Sequence, residues 1–155
     1  MLVVALRFVS NTMEAEDIVQ EAFIKAFSRL DQFKAEVSFG AWLKRIVINR
    51  CIDVLKSKRQ RAIELEDHHL KVVDEEPTSD WLVDDDMTID VVKEAIDRLP
   101  EKYKIVVILY LMEGYDHQEI AQILSISEVA SRTQLSRGKR KLQNELKLKK
   151  NGTRS

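Results

Sequence analysis

The segment that decides the fold is Gln118–Leu142, QEIAQILSISEVASRTQLSRGKRKL. Apolar residues recur at the helical period on both sides of the turn Ser125–Ser127, so the segment predicts a short helix followed by a longer one. Small Ala121 lets the two helices approach closely. This spacing is typical of a helix-turn-helix, in which the second helix enters the major groove of DNA by its N-terminal end.

Side chains on the second helix of this motif fit that use. Ser127 is predicted to cap the helix, which we expect to run as far as Lys147. Its polar and basic positions are of the kinds that bind base edges and phosphates. The predicted DNA contacts here are Ser127, Glu128, Arg132, Thr133, Ser136, Arg137 and Lys139. The alternative interpretation is a pair of packed helices with a solvated basic face.

The chain upstream of the motif supplies the rest of a small helical domain, residues 89–150. A helix is predicted over 89–99, and Pro100 suits the first turn of the next helix, which ends before Gly114. Asp116 is placed to cap the short helix of the motif, with a glutamate three residues later in the reciprocal position. The caps and the apolar period therefore agree on one helical bundle.

The charge distribution separates this domain from the start of the chain. Residues 1–62 hold 11 Lys and Arg against 7 Asp and Glu, residues 63–90 hold one against 11, and residues 91–155 hold 13 against 8. Two basic blocks suit a polyanion such as DNA, whereas the acidic block would be repelled by it. We therefore interpret residues 63–88 as an acidic interdomain linker.

Three helices are predicted before the linker, in a domain covering residues 1–62. The first is a stub at Leu2–Val9, the second is capped by Asn11, and the third is long and is capped by Ser38. A loop over 31–37 separates the last two. The whole pattern predicts an all-α fold: two small helical domains joined by an acidic linker, the second a helix-turn-helix bundle.

The second helix is predicted to have two different sides. The apolar stripe expected to face the core consists of Ala15, Ile18, Val19, Ala22, Phe23, Ala26 and Phe27. Beside it, Asp17, Gln20, Glu21 and Ile24 fall at i, i+3, i+4 and i+7, so they share one side, here called the docking face. Acidic and polar residues on a basic domain favour protein docking there, with an ordinary solvated face as the alternative.

The long third helix combines an aromatic side chain with hydrogen-bonding and cationic groups, which suits unstacked single-stranded nucleic acid. The candidates on this helix and on the loop before it are Lys34, Trp42, Asn49, Arg50, Asp53 and Lys56. The alternative for Trp42 is a place in the core, because a large aromatic residue on an apolar helix face is commonly buried.

Several function classes lack the residues that they require. The single cysteine, Cys51, excludes an internal disulfide framework and a cysteine-based zinc site, and the three histidines have no metal-ligand spacing. No phosphate-binding glycine loop or catalytic pattern is visible, so we predict no enzyme activity, no catalytic residue, no metal and no cofactor. The lack of a long apolar run predicts no membrane insertion, and we expect a cytoplasmic protein.

Three motifs, in order, resemble those of bacterial sigma factors. Residues 16–23, EDIVQEAF, resemble the polymerase-docking helix of that family. The positions that resemble its promoter-melting helix are Phe33, Ser38, Phe39, Trp42, Leu43, Ile46, Asn49 and Asp53. The positions that resemble its C-terminal helix-turn-helix are Leu99, Pro100, Tyr103, Glu119–Ala121, Ile126–Glu128 and Leu135–Arg137. The two-domain form is similar to the extracytoplasmic function group.

The resemblance implies that the protein is a transcription initiation factor. It further implies roles in transcription regulation and in the stress response. The partners that it implies are core RNA polymerase, promoter DNA and an anti-sigma factor. It implies that the two carboxylates and Gln20 of the docking face contact the coiled coil of the large polymerase subunit. It also implies that Trp42, Asn49 and Asp53, with the loop 34–37, capture and melt the minus-ten element. The second helix of the helix-turn-helix would read the minus-thirty-five element.

The chain departs from the family pattern at four places. Its first helix is a stub where the family usually has a longer one. Ser125 stands where Gly is usual, Ser131 where a β-branched residue is usual, and Gln134 where Arg is usual. Two other functions stay open. One is a sigma-like decoy that binds a regulatory protein instead of promoter DNA, which the basic recognition helix argues against. The other is a dimeric helix-turn-helix repressor, which the N-terminal domain argues against.

Overall fold

A computed structural model describes residues 1–65 and 89–152 of the chain. These residues form helices and no strand, which confirms the predicted all-α class, and they belong to two compact units. The helices of the first unit are α1 (Leu2–Phe8), α2 (Thr12–Ser28), a 3-10 turn (Leu30–Gln32) and α3 (Phe39–Leu65). The second unit contains α4 (Ile89–Asp97), α5 (Glu101–Val107), a π-helical segment (Ile108–Met112), α6 (His117–Leu124) and α7 (Glu128–Gly152).

The predicted linker, residues 63–88, lies outside the described residues except at its first three positions. Those positions continue α3, which ends at Leu65, beyond the domain boundary predicted at residue 62. Residues 56–61, KSKRQR, contain no Gly or Pro that would stop a helix, so the helix continues past them to Leu65.

Small side chains bring α2 against its neighbours. The Asn11 side chain accepts a hydrogen bond from the Glu14 amide at 3.2 Å, so the predicted cap is confirmed and the helix begins at Thr12. Its buried side carries three alanines and Ile18. Because alanine adds little bulk, α1, α2 and α3 pack closely on one another around this side.

The predicted apolar stripe of α2 needs a correction at its end. Phe27 is 62% exposed, so its placement in the core was wrong. It lies one residue, and therefore about 100° around the helix, beyond buried Ala26. That rotation carries its ring to the side of Ile24. Phe27 stays in contact with Phe23, whose ring centroid lies 6.3 Å away.

The third helix begins where the sequence predicts. The Ser38 hydroxyl oxygen accepts a hydrogen bond from the Ala41 amide at 3.2 Å. One side of α3 is apolar and packs against α1 and α2, and its buried residues are Leu43, Val47, Ile48, Cys51, Ile52 and Leu55. The opposite side is polar and stays exposed, so α3 presents a long surface to solvent.

The second unit is built around the contact of α5 with α7. Gly138 on α7 faces α5 so closely that an added Cβ would lie 2.8 Å from Val107 Cγ2 and 3.3 Å from Tyr103 Cβ. Glycine is therefore required by the packing at this crossing and not by its backbone angles. The predicted helix after Pro100 is interrupted by the π-helical segment and closes at Gly114, whose φ is +78°.

The helix-turn-helix has the predicted caps. At the start of α6, Asp116 accepts the Glu119 amide at 2.8 Å and Glu119 accepts the Asp116 amide at 3.2 Å, which completes a capping box. Ser125 ends α6 in the left-handed conformation at φ 55°. The Ser127 hydroxyl then accepts the Ala130 amide at 3.0 Å and starts α7.

Candidate functional site

The N-terminal half of α7 presents the predicted DNA contacts on its outer side. Ser127, Glu128 and Arg132 are exposed, as an entry into a groove requires. The further predicted contacts, all half-buried, are Thr133, Ser136, Arg137 and Lys139. The structure therefore brings these residues together along one helix and leaves its first turn accessible.

Two local contacts limit how the first turns of α7 meet a ligand. Arg132 pairs with Glu128 one turn earlier at 3.5 Å, and both side chains remain about half exposed. Such an exposed pair is weak, so the guanidinium can exchange the carboxylate for a base edge or phosphate. The Thr133 hydroxyl donates a hydrogen bond to the Val129 carbonyl oxygen at 2.9 Å, so the methyl group is the part of this side chain that the helix does not engage.

Val129 also lies on this surface and was not among the predicted DNA contacts. Its side chain is 68% exposed in the first turn of α7. An exposed apolar side chain at the entry of a recognition helix can contact the methyl group of thymine. A lone valine gives no polar signal, and only its position one residue after the predicted start of the helix could have pointed to it.

A polar contact lies behind the recognition surface, at the position where Ser131 departs from the β-branched residue of the sigma-factor pattern. Ser131 is fully buried, and its hydroxyl oxygen lies 2.8 Å from His117 Nδ1 on α6. The imidazole stacks on Tyr110 with centroids 4.7 Å apart. Burial lowers the pKa of His117, and the nearby Arg132 guanidinium lowers it further. The imidazole is therefore neutral at neutral pH.

The docking face in the first unit is exposed along its whole length. The exposed residues are Asp17, Gln20, Glu21 and Ile24, and the Ile24 side chain is 71% exposed. Met13 and Phe27 are also exposed at the same helical spacing, so they extend this side of α2 at both ends. An exposed apolar stripe bordered by carboxylates is a recurrent feature of protein-binding surfaces.

Two residues predicted for different surfaces contact each other. Arg50 Nε donates to Glu21 Oε2 at 2.5 Å, so a candidate DNA residue on α3 pairs with a docking-face carboxylate on α2. A second pair, Lys58 with Glu14 at 2.6 Å, bridges the same helices further along. Both pairs lie at the surface, where they join the outer sides of α2 and α3.

The nucleic-acid candidates on α3 divide into a polar stripe and an aromatic end. Asn49, Asp53 and Lys56 are exposed at a spacing that continues from Trp42 along one side of the helix. Trp42 is half-buried and packs on Phe33 and Phe39, with ring centroids 5.3 and 5.7 Å away. Lys34 is exposed in the preceding loop. The indole is thus fixed by aromatic neighbours and still reaches the surface.

Other chemistry has little support in the parts of the chain that the structure describes. Cys51 is buried, and desolvation raises its pKa to about 12, so it is not a nucleophile at neutral pH. Within residues 1–65 and 89–152 no cluster of side chains could hold a metal ion. In the same ranges no helix is both long enough and apolar enough to span a bilayer.

A helix-turn-helix unit with an exposed basic recognition helix, preceded by a helical unit with docking and aromatic surfaces, defines a two-domain helical transcription factor. Comparison with known proteins supports this class. The family described as Sigma-70 region 2 matches residues 2–61, and Sigma-70 region 4 matches residues 89–142. The chain belongs to the sigma-70 family of RNA polymerase sigma factors. The predicted family is therefore confirmed.

Individual relatives define the group more narrowly. The chain is 30% identical to the ECF RNA polymerase sigma factor SigW of Bacillus subtilis, over 91% of this chain and 80% of that protein. It is 32% identical to the "Probable RNA polymerase sigma factor RfaY" of Xanthomonas campestris, over 92% of this chain. The chain spans only 36% of the length of that relative.

A solved structure shows the same fold. The sigma factor RpoE of Bartonella quintana, crystallised with the anti-sigma factor NepR, superimposes with a TM-score of 0.65 at 25% identity. The match covers 94% of this chain and 89% of that one. The individual docking and DNA contacts named above are not tested by these likenesses and stay predictions.

Proposed function

We propose that this chain binds core RNA polymerase and directs it to a restricted set of promoters, where it recognises and melts DNA. The observation that carries the proposal is that one chain joins a region 2 unit with an exposed docking face to a region 4 unit with an exposed recognition helix. Residues 1–62 would dock and open DNA, residues 89–150 would bind upstream, and residues 63–88 would link them. Because it would act on RNA polymerase, the chain would function in the cytoplasm.

The docking step uses the side of α2 that carries Asp17, Gln20, Glu21 and Ile24. Large exposed apolar side chains are the usual anchors of protein interfaces, and the carboxylates around them select a basic partner surface. Exposed Ile24 is such an anchor. The polymerase would replace Arg50 as the partner of Glu21, at little cost because an exposed ion pair is weak.

The opening step uses α3 and the loop before it. The Trp42 indole, packed against two phenylalanines that also contact each other, offers a rigid face on which an unstacked base can lie. Asn49 and Asp53 follow on the same side and can hydrogen-bond the edges of exposed bases, while Lys56 and Lys34 suit the phosphates. We infer that this side holds the minus-ten element in the single-stranded state.

The upstream step uses the recognition helix. Arg132 is suited to a guanine edge, and Thr133, Ser136 and Arg137 follow on the same half of α7. Lys139 and Ser127 suit the backbone, where they fix register without reading sequence. Glu128, at the first turn, suits a cytosine amino group. We infer that this surface binds the minus-thirty-five element as a duplex.

Regulation by an anti-sigma factor is part of the proposal. The Bartonella sigma factor with a similar fold is held in a complex with such a protein. The docking face is the natural target for a competitor, because a protein that covers Ile24 and its carboxylates would exclude the polymerase.

The discriminating experiment is transcription by core RNA polymerase with the full chain, on a library of bacterial promoter fragments. We expect transcripts from a small subset of templates. Asp17→Lys should weaken binding to core polymerase about tenfold, because it places like charge against a basic surface. Asp31→Lys is the matched control, since Asp31 is an exposed carboxylate of the same unit that lies in the 3-10 turn after α2 and outside the docking face.

Two outcomes of these measurements would each reject a different part of the proposed function. Binding to core polymerase without any template-specific transcript would favour the sigma-like decoy over the initiation factor. Equal binding by the Asp17 and Asp31 variants would reject the docking face and leave the family assignment untouched.

A further inference from the structure

Three elements of the second unit meet at one polar cluster, here called the polar node: Tyr110 of the π-helical segment, His117 of α6 and Ser131 of α7. The His117 imidazole lies against the Tyr110 ring on one side, and its Nδ1 atom is bonded to the Ser131 hydroxyl at 2.8 Å. Lys139, two turns further along α7, places its ammonium 5.9 Å from the centroid of the same tyrosine ring.

Because Ser131 is buried, the loss of its hydrogen bond to His117 would be energetically costly. Within the residues that the structure describes, Ser131 is the buried polar side chain among otherwise apolar core residues. A buried hydroxyl without a partner carries a large desolvation penalty, so the helix must keep Ser131 facing His117. Apolar contacts are non-directional and tolerate sliding, whereas this bond has a narrow geometry.

The position of Ser131 in α7 connects the node to the outer surface. Arg132 and Thr133 follow it directly, so their direction around the helix is set by where Ser131 points. A rotation of α7 that carried these residues away from the groove would also break the bond to His117. The other side of the contact is equally fixed, since the Asp116 capping box holds the first turn of α6.

We propose that His117 and Ser131 are positioning residues for duplex recognition: their hydrogen bond sets the rotation of the recognition helix and so aims Arg132 and Thr133 at the base edges. The inference rests on the proposed function, since it concerns how the same helix reads DNA. It assigns a role to Ser131, which stands where the family usually has a β-branched residue, and to His117, which no motif required.

The charges around the node are consistent with a neutral bond. Burial and then Arg132 disfavour the imidazolium most strongly, Asp116 and Glu128 favour it less, and Lys139 adds the smallest disfavouring effect, so the pKa of His117 is lowered. At neutral pH the imidazole therefore offers one donor and one acceptor nitrogen, which is what a single hydroxyl partner and a solvent-facing edge require.

The test uses the full chain bound to core RNA polymerase and a duplex enriched by that complex from a randomised library. The measured quantity is the ratio of affinities for the enriched duplex and a shuffled one. Ser131→Ala and His117→Phe should each lower this ratio by about twofold to tenfold, the range expected for one lost hydrogen bond. The double variant should lose no more than either single one, because both remove the same bond.

The ratio separates positioning from simple loss of folded protein, because unfolding lowers both affinities equally. Ser131→Thr, which keeps the hydroxyl, should retain the wild-type ratio, and so should Gln122→Ala on the exposed side of α6. Unchanged ratios in the Ser131 and His117 variants, or fully additive losses, would overturn the positioning role alone. A wild-type complex that enriches no duplex would instead overturn the proposed function together with it.

Discussion

In the first unit the contact between α2 and α3 is apolar inside and ionic at the surface, whereas in the second unit α6 and α7 share a part-buried hydrogen bond between neutral groups. Alanines line the inner side of α2, and the pairs of Glu21 with Arg50 and Glu14 with Lys58 cross its outer edge. Around α7 the contacts are the Ser131 bond to His117 and the close approach of Gly138 to α5.

The difference indicates which structural property each unit must keep constant for its function. A docking face works if its side chains are exposed on a stable helix, and an apolar contact with surface ion pairs provides that. Reading base edges also requires the rotation of a helix to be fixed within narrow limits. Directional and steric contacts such as those at Ser131 and Gly138 fix rotation, whereas general apolar burial does not.

The largest contrast is expected at two glycines. Gly138→Ala should destabilise the second unit by about 1–3 kcal/mol, because its methyl group would overlap Val107 and crowd Tyr103, both fully buried. Urea unfolding of the full chain, followed by hydrogen exchange at amides of α5 and α7, would measure the loss.

The matched control lies in the first unit. Gly40 is also helical, but nothing lies within 4 Å of an added Cβ. Gly40→Ala should therefore be neutral or stabilise α3 by up to about 1 kcal/mol, since alanine favours the helix. Losses of equal size at both glycines would remove the distinction between a steric contact and a tolerant one.

An intermediate contrast is expected at the helix caps. Asp116→Ala should cost about 1–2 kcal/mol, because it removes the cap of a helix of only eight residues and breaks a reciprocal capping box. Asn11→Ala removes a single cap from the 17-residue α2 and should cost less, about 0.5–1 kcal/mol. Hydrogen exchange at the first amides of α6 and α2 would report each loss. A larger cost at Asn11 would contradict the ranking.

Local signals explain what could be predicted from the sequence. Caps depend on residues within one turn, so the starts of α2, α3, α6 and α7 follow from Asn11, Ser38, Asp116 and Ser127. The helix-turn-helix and the exposed docking face also follow from spacing along single helices. These features need no knowledge of which helix packs on which.

What the sequence did not predict depends on residues far apart in the chain. Ser131 meets His117 across 14 positions, and Arg50 meets Glu21 across 29. No periodicity encodes such pairs, and a serine on a helix is by itself expected in solvent. The π-helical segment, ILYLM, continues the apolar run IVV at the end of the helix before it, so composition alone predicts one continuous helix there.

The smallest effect is expected at the surface ion pairs. In a double-mutant cycle of Glu14→Gln and Lys58→Gln, the coupling in the free energy of unfolding should be about 0.2–1 kcal/mol, because solvent screens an exposed pair. The coupling should shrink further as salt is raised. The same cycle built from His117→Phe and Ser131→Ala should keep its coupling at high salt, because a hydrogen bond between two neutral side chains has no net charge to screen. If both cycles responded to salt alike, the bond in the second unit would be ionic in character, and the contrast between a tolerant docking unit and a directional reading unit would fail at its clearest point.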